Sequence, residues 1–187
     1  MMEGEFRIRV TYAMTGRLVM LSHLETARAI ERTVRRSDLP FAVTQGFSPH
    51  MKLAFGSALP VGVGGLAEIF DVTMTAFAPP AEALARLRAA SAPDLMPCDV
   101  RYIDKTVKAA SVAYPFSTYR VELADGADAS VLKVPEEIVV VRKKKERHLI
   151  PTDFLVGGMH ADGSALTFTL ESKPSGSLRP DVLVQTM

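Results

Sequence analysis

The order of strand and helix signals over the first hundred residues most constrains the fold. Residues Phe6 to Tyr12 alternate apolar and charged side chains, as in a strand with one buried face. Ser22 to Glu25 then reads as a capping box, in which each side chain can hydrogen-bond the other residue's backbone amide. The chain therefore begins with a half-buried strand followed by a capped helix.

The signals that follow complete one recognisable order. We expect the helix to run to about Arg36, with Leu24, Ala27, Ile30 and Val34 on its buried side. Two strands come next, over 52–59 and 67–75, with Ile69 and Val72 turned inward, and a glycine-rich turn joins them. A helix over 79–90 and a strand over 98–103 follow. Strand, helix, strand, strand, helix, strand is the ferredoxin-like order.

The second half has clear strand patterns but weak helix signals. Strands are predicted over 116–123, 137–144 and 165–171, with a hairpin partner over 146–150 and short helical segments near Ala129, Pro151 and Pro180. We therefore predict an α+β protein of tandem ferredoxin-like (βαββαβ) halves with antiparallel sheets, the second half degenerate. The predicted domains are 1–106 and 115–187, and residues 107–114 form the predicted linker.

Cysteine content and hydropathy exclude several classes of protein. The single cysteine, Cys98, excludes an internal disulfide and a multi-cysteine metal or iron–sulfur site, and we expect it to be buried. No apolar run approaches the roughly 20 residues of a membrane span. The acidic, then strand-like N-terminus does not resemble a signal peptide. We expect a cytoplasmic protein with no metal site and no membrane contact.

The formal net charge of +1 hides an uneven distribution of basic residues. Arg28, Arg32, Arg35 and Arg36 recur at helical spacing and form what we call the arginine face, with Glu31 as the one acid among them. Arginine suits bidentate phosphate contacts, although a solvated helix surface is the alternative interpretation. The predicted RNA or phosphate contacts in this half are Arg17, Arg28, Arg32, Arg35, Arg36 and Lys52.

A second basic patch lies in the other half, over Arg142, Lys143, Lys144 and Lys145. In an alternating strand Arg142 and Lys144 would share one face, and Lys143 and Lys145 the other. The patch is either a nucleic-acid contact or an exposed strand with a hairpin.

The stretch AVTQGFSPHMKL, residues 42–53, joins the first helix to a core strand. Gln45, Phe47 and His50 are its predicted ligand contacts. His50 and His23, in the first turn of the helix, are the candidate catalytic residues, because they would form an acid–base pair if the fold brought them together. The sequence has no phosphate-binding loop, no H-E-x-x-H, no G-x-S-x-G and no C-x-x-C motif.

These motifs together resemble the radical SAM-linked domain family. The resemblance is strong from Arg7 to about Thr75 and weaker beyond it. It is carried by Ser22-His23-Leu24, Glu31-Arg32, Arg35-Arg36, Leu39-Pro40, Gln45-Gly46-Phe47, Pro49-His50 and Lys52. The chain departs from the family's usual residues at Glu25, Ser48 and Met51, where Asp, Asn and a second Pro are usual.

The resemblance implies a companion of a separate radical SAM protein. That partner would carry the iron–sulfur cluster and S-adenosylmethionine, since this chain lacks the three-cysteine motif and is expected to hold no cofactor. The element order is also similar to that of RAMP-type RNA-binding proteins. We therefore expect a non-catalytic adaptor for tRNA or rRNA modification. The open alternatives are a metal-independent RNA-processing enzyme using His23 and His50, and a protein-interaction module for the partner.

Overall fold

A computed structural model describes residues 5–104, 106–124, 126–142 and 144–187. The chain forms two compact units, residues 1–113 and 114–187. Both units combine helices with antiparallel sheets, so the predicted α+β class is confirmed.

The first unit is built on one antiparallel four-stranded sheet. Its strands lie in the order β2-β3-β1-β4, which is the order of a ferredoxin-like unit. The elements are β1 (Phe6–Met14), α1 (His23–Arg36), β2 (Leu53–Phe55), β3 (Gly65–Met74), α2 (Pro80–Ala90), β4 (Leu95–Ile103) and α3 (Ala110–Ala113). A short 3₁₀ helix, Gly16–Met20, lies between β1 and α1.

The alternation of β1 explains the core of this unit. Ile8, Val10, Tyr12 and Met14 share one face of the strand and are buried, together with Ile30 and Val34 of α1. The first turn of α1 has both hydrogen bonds of the capping box. The Ser22 amide donates to the Glu25 carboxylate at 2.8 Å, and the Glu25 amide donates to Ser22 Oγ at 3.4 Å. The helix start predicted from sequence is therefore confirmed.

Three burial predictions were wrong in this unit. Leu24 is exposed, because it lies in the first turn on the side of α1 away from Ile30. On β3 the core face carries Phe70, Val72 and Met74, whereas Ile69 has the opposite parity and is only partly buried. Cys98 is exposed on β4, where Pro97 and Val100 are the buried neighbours.

The opposite face of the sheet carries a buried ion pair. Arg9 and Asp71 are cross-strand partners, and both side chains are almost fully buried. The guanidinium makes two bonds to the carboxylate, at 2.7 and 2.9 Å, and a third to the Lys108 carbonyl at 3.0 Å. Arg9 is therefore an internal group and contributes nothing to a basic surface.

The segment that we predicted as a linker contains α3, which packs against β2 and β3. Its backbone carbonyls at Val107 and Lys108 accept hydrogen bonds from the arginines of β1, Arg7 and Arg9. Residues 107–113 thus belong to the first unit.

The described residues of the second unit form two antiparallel sheets and one α-helix. A three-stranded sheet has the order β5-β9-β8, and β6 and β7 form a separate hairpin. The elements are β5 (Phe116–Glu122), β6 (Ile138–Arg142), β7 (Lys145–Leu149), β8 (Leu155–Asp162), β9 (Ala165–Glu171) and α4 (Pro180–Thr186). Phe168, Leu166 and Leu183 are central in its core.

This order differs from a degenerate βαββαβ copy. Where the two helices of such a copy are expected, the described residues form the short 3₁₀ helices Ala129–Val131 and Pro151–Asp153. An additional strand, β8, pairs with β9. The weak helix signals in the sequence thus correspond to single turns, because neither segment has enough apolar residues at helical spacing to cover a sheet.

The second basic run is the tip of a hairpin. Arg142 ends β6 and Lys145 begins β7, and these two residues are cross-strand partners. Lys144 lies in the turn between them, with a φ of 62°. The predicted alternation of Arg142 with Lys144 is therefore wrong, because a turn interrupts the strand there. Lys143 lies outside the described residues, and only the backbone of Arg142 is described.

Candidate functional site

The arginine face lies on the solvent side of α1. Spacings of four and three residues place Arg28, Arg32 and Arg35 in one row, away from Ile30 and Val34. All four arginines of the face are exposed. Arg35 forms an ion pair of 2.8 Å with Glu31. The guanidinium groups of Arg32 and Arg36 pair with no acid of the described chain, so they are available for an external anion.

The loop over residues 44–50 projects from the first unit and presents its side chains to solvent. Its base is closed by two hydrogen bonds. The Thr44 amide donates to the His50 carbonyl at 2.8 Å, and the His50 amide donates to Thr44 Oγ1 at 3.0 Å. Gln45 and His50 are exposed and Phe47 is fully exposed. Phe47 therefore presents its whole phenyl ring to solvent at the loop.

One contact joins the arginine face to the chain segment that leads into this loop. The Arg35 guanidinium lies over the Phe41 ring, 5.5 Å from its centroid, which is a cation–π geometry. Phe41 is bridged to Met74 of β3 and immediately precedes Ala42, where the loop's stem begins. The C-terminal end of α1 is thus fixed beside the base of loop 44–50.

The other predicted basic residues of this unit differ in their availability. Lys52 is partly buried, and its ammonium group lies 2.5 Å from the Glu5 carboxylate. Arg17 is exposed in the 3₁₀ helix, where its backbone amide donates to Asp94. Lys52 is therefore already neutralised within the chain, whereas the Arg17 side chain extends into solvent.

A small cleft opens between the first turn of α1 and the end of the sheet. It is lined by Tyr12 and Met14 of β1, His23 and Thr26 of α1, Phe55 of β2 and Glu68 of β3, together with neighbouring residues. His23 packs edge-to-face on Phe55, with ring centroids 5.7 Å apart. His50 is not among the lining residues, so the predicted pair His23 and His50 does not share this cleft.

Glu68 and Tyr12 contribute a carboxyl group and a hydroxyl group to the cleft. They are direct cross-strand partners on the core face of the sheet. Burial raises the pKa of the Glu68 carboxyl to about 7. Burial and the neighbouring Glu68 charge raise the pKa of the Tyr12 hydroxyl, which therefore stays protonated. The cleft thus holds a carboxyl group that titrates near neutrality beside a permanent hydroxyl donor.

Sequence reasoning missed both groups, although a signal was present. Counting by two along β3 from the buried Phe70 places Glu68 on the core face. A carboxylate on a core face is unusual unless it has a partner or a function. The overlooked signal was thus the position of Glu68 two residues before Phe70, which puts both side chains on the same face of β3.

Two residues of the second basic patch, Lys144 and Lys145, have described side chains in the second unit. Lys144 and Lys145 are exposed at the hairpin tip. Arg147, on β7, reaches the Ser175 carbonyl at 3.4 Å, and His148 pairs with Glu137 at 3.0 Å. Lys144 and Lys145 thus present exposed side chains at the hairpin tip, whereas Arg147 and His148, further along β7, have partners of their own.

The described residues show neither a metal cluster nor a membrane-spanning helix. In that part of the chain, no group of three or more His, Cys, Asp or Glu side chains is arranged to hold a metal ion. None of the described helices has both the length and the apolar character needed to cross a bilayer.

Fold and site together define a class: a two-unit α+β protein whose first, ferredoxin-like unit presents an arginine-lined helix, a projecting loop and a small acidic cleft. The model of the family described as "Uncharacterized protein conserved in bacteria (DUF2344)" matches residues 7–180, and the chain belongs to this family. A search of curated proteins found none that matches the chain. The family's description names neither a radical SAM partner nor an RNA.

Proposed function

We propose that this chain is an RNA-binding adaptor without catalytic activity of its own, which works with a separate radical SAM enzyme that modifies tRNA or rRNA. The observation that carries the RNA-binding part is the contact of Arg35 with Phe41, which places the arginine face beside the chain segment that leads into loop 44–50. The resemblance to the radical SAM-linked domain family supports the choice of partner.

Each part of this surface has a chemistry that suits RNA. Arg28, Arg32 and Arg36 would contact phosphates, because guanidinium groups bind phosphate oxygens bidentately. Phe47 would stack on an unpaired base, as exposed aromatic rings do in proteins that bind single strands. The lysines of the hairpin tip would add a further phosphate contact in the second unit.

The test is RNA binding by the purified chain at several salt concentrations. We expect affinity to fall steeply with salt, because binding that neutralises phosphates releases counterions. The double variant Arg32→Ala/Arg36→Ala should bind more weakly, because these two guanidinium groups pair with no acid of the described chain. Its log–log salt slope should be shallower by about 0.7 for each phosphate of a single strand that it no longer neutralises. Fluorescence anisotropy with a labelled tRNA and a labelled single-stranded RNA measures both quantities.

A matched control removes the same charge from elsewhere. Arg86 and Arg120 are exposed arginines paired with Glu82 and Glu122. Arg86→Ala/Arg120→Ala should retain the wild-type affinity and salt slope. RNA binding that is absent, or that does not depend on salt, would contradict the proposal.

A protein-docking function for the same surface is favoured by its apolar residues. Phe47 is fully exposed, and Leu24 is exposed on the first turn of the helix that carries the arginine face. A radical SAM protein that co-purifies with this chain after nuclease treatment, with no RNA retained, would favour docking over RNA binding.

We do not propose the RNA-processing enzyme, because His50 does not line the cleft that contains His23. Labelled RNA incubated without metal with wild type and His50→Ala tests this choice. Cleavage by wild type that disappears in the variant would restore the enzyme hypothesis.

A further inference from the structure

Three aromatic rings form a cluster on the surface of the first unit. Phe77 and Tyr102 are stacked, with ring centroids 5.0 Å apart and ring planes at 15°. Phe6 meets both rings edge-on, at centroid distances of 6.3 and 6.1 Å. Phe6 and Tyr102 pack against the core of the unit, whereas Phe77 is 61% exposed. The cluster thus presents one phenyl ring to solvent and backs it with a second aromatic ring.

The Phe77 ring is restrained by its neighbours in the chain. The Tyr102 hydroxyl accepts a hydrogen bond from the Ala78 amide and donates one to the Ala78 carbonyl, both at 2.9 Å. Pro79 and Pro80 follow, and a proline ring fixes the backbone φ angle at about −65°. Because the ring is already ordered in the free protein, a ligand that stacks on it loses little affinity to the ordering of side chains.

The segment that carries Phe77 lies beside the C-terminal end of the arginine face. The Thr75 amide and hydroxyl both donate to the Pro40 carbonyl, at 2.6 and 3.1 Å. Phe41, the next residue, is the ring that an arginine of this face covers. A β-bridge pairs Phe41 with Met74, three residues before Phe77. Since bridged Cα atoms lie about 5 Å apart and each residue advances the chain by at most about 3.6 Å, the Cα atoms of Phe41 and Phe77 lie within about 16 Å.

The charges at this end of the unit suit an anionic ligand. The guanidinium groups of Arg32 and Arg36 pair with no acid of the described chain. Glu5 and Glu82, which are close in sequence to the aromatic cluster, are each neutralised by an ion pair. The Asp104 carboxylate accepts two hydrogen bonds from the turn that follows it. An exposed aromatic ring beside free guanidinium groups is the combination with which proteins hold single-stranded nucleic acid.

We propose that Phe77, backed by Tyr102, is a stacking platform for an unpaired base of the RNA whose phosphates contact the arginine face. This inference rests on the proposed function. At the ~3.4 Å advance of a stacked strand, about five nucleotides span the distance from the end of the arginine face to the platform. Every base has a flat π-face, so the platform adds affinity for single-stranded RNA without selecting one base.

The experiment compares two substitutions of Phe77 in the full chain. Phe77→Leu keeps an apolar side chain but removes the flat ring, whereas Phe77→Tyr keeps the ring. We expect Phe77→Leu to bind a labelled oligoadenosine roughly 5- to 150-fold more weakly than wild type, the effect of removing one ring that stacks on a base. Phe77→Tyr should bind like wild type. The log–log salt slope should be unchanged in both variants, because neither removes a charge.

Two controls isolate the stacking contact. Phe116→Leu replaces another exposed phenyl ring, on β5 of the second unit, which stacks on no aromatic ring of the described chain, and it should retain the wild-type affinity. The second control is an oligomer of the same length that has the sugar–phosphate backbone but no bases. Wild type and Phe77→Leu should bind this base-free oligomer equally. Thermal melting shows whether each variant is folded, and Phe77→Met replaces Phe77→Leu if the latter does not fold.

The outcomes distinguish the platform from the RNA-binding function itself. If wild type binds neither oligomer, RNA binding is wrong, and the platform with it. Equal binding of oligoadenosine by wild type and Phe77→Leu overturns the platform and leaves RNA binding intact, with a protein side chain as the alternative ligand of the ring. An equal loss of affinity for the base-free oligomer in Phe77→Leu also overturns the platform, because the ring would then act through the fold.

Discussion

The charge state of Glu68 depends on the fold. Burial raises the pKa of its carboxyl from 4.5 to about 7, while an unfolded chain keeps the ordinary value. Between these two values the unfolded state binds fewer protons than the folded state. The free energy of unfolding therefore falls as the pH rises through this range.

Glu68→Gln should remove this pH-dependent loss. We expect the variant to gain stability relative to wild type as the pH rises from 4 to 8, by roughly 1–3 kcal/mol, because one pKa unit corresponds to about 1.4 kcal/mol and partial exposure screens the charge. Tyr12, the titratable partner across the strands, stays protonated over this range. Urea unfolding of both proteins at each pH measures the difference, and a difference that is constant with pH would rule out the raised pKa.

Arg9 shows how one residue's role depends on its partner. In the sequence it is one of the basic residues of the first half. In the structure its guanidinium group is buried and donates hydrogen bonds to the Asp71 carboxylate and the Lys108 carbonyl. Arg28 and Arg36 have the same chemistry and are exposed. The sequence could not separate these cases, because burial of an arginine depends on an acid that is remote in the chain, here Asp71 on β3.

The capped helix α1 is the element that sequence reasoning described best. Its start, its length and its arginine face follow from local rules, since Ser22 and Glu25 satisfy free amides of the first turn. The hydrogen bonds from Ser22 lower the pKa of the exposed Glu25 carboxyl, so its contribution is present at neutral pH and is lost as the pH falls through that lowered pKa.

Ser22→Ala should destabilise the first unit by about 1 kcal/mol at pH 7, the usual cost of losing a serine N-cap. Chemical unfolding followed by circular dichroism measures this change. Ser22→Asp is the matched control, because aspartate is an equally good N-cap and should retain most of the stability. Equal stability of wild type and Ser22→Ala would show that the cap contributes little.

For loop 44–50, the sequence predicted ligand contacts but not the conformation of the loop. Its glycine, proline and aromatic residue mark a turn, but the exposure of Phe47 depends on how the base is closed. Thr44 performs that closure twice, by donating its amide to the His50 carbonyl and by accepting the His50 amide at its hydroxyl.

Across the whole molecule, the chain divides between Ala113 and Tyr114, at the C-terminal end of the predicted linker 107–114, and most of that segment belongs to the first unit. Residues 107–113 contact the first unit through the bonds of Arg7 and Arg9 to the carbonyls of Val107 and Lys108 and through the buried Ala110. The amino-acid composition of the segment does not indicate these contacts, because every residue has a backbone carbonyl that could accept such a hydrogen bond.

A chain ending at Ala113 should therefore be more stable than one ending at residue 106. Removal of the two carbonyls and of Ala110 uncovers the Arg9–Asp71 pair, and we expect a cost of roughly 1–3 kcal/mol. Thermal melting of both chains measures it. Identical melting temperatures would mean that residues 107–113 contribute nothing to the first unit.

The sequence by itself determined the local features: the alternation of β1, the cap and arginine face of α1, and the ferredoxin-like order of the first unit. These depend on neighbours within a few residues, which the chain order supplies. Only the tertiary structure decided which charges are internal, that Tyr12 and Glu68 face one cleft, that His50 lies apart from it, and that the second unit forms hairpins instead of a second βαββαβ copy. Those outcomes depend on strand register and burial, which are set by contacts between residues far apart in the chain.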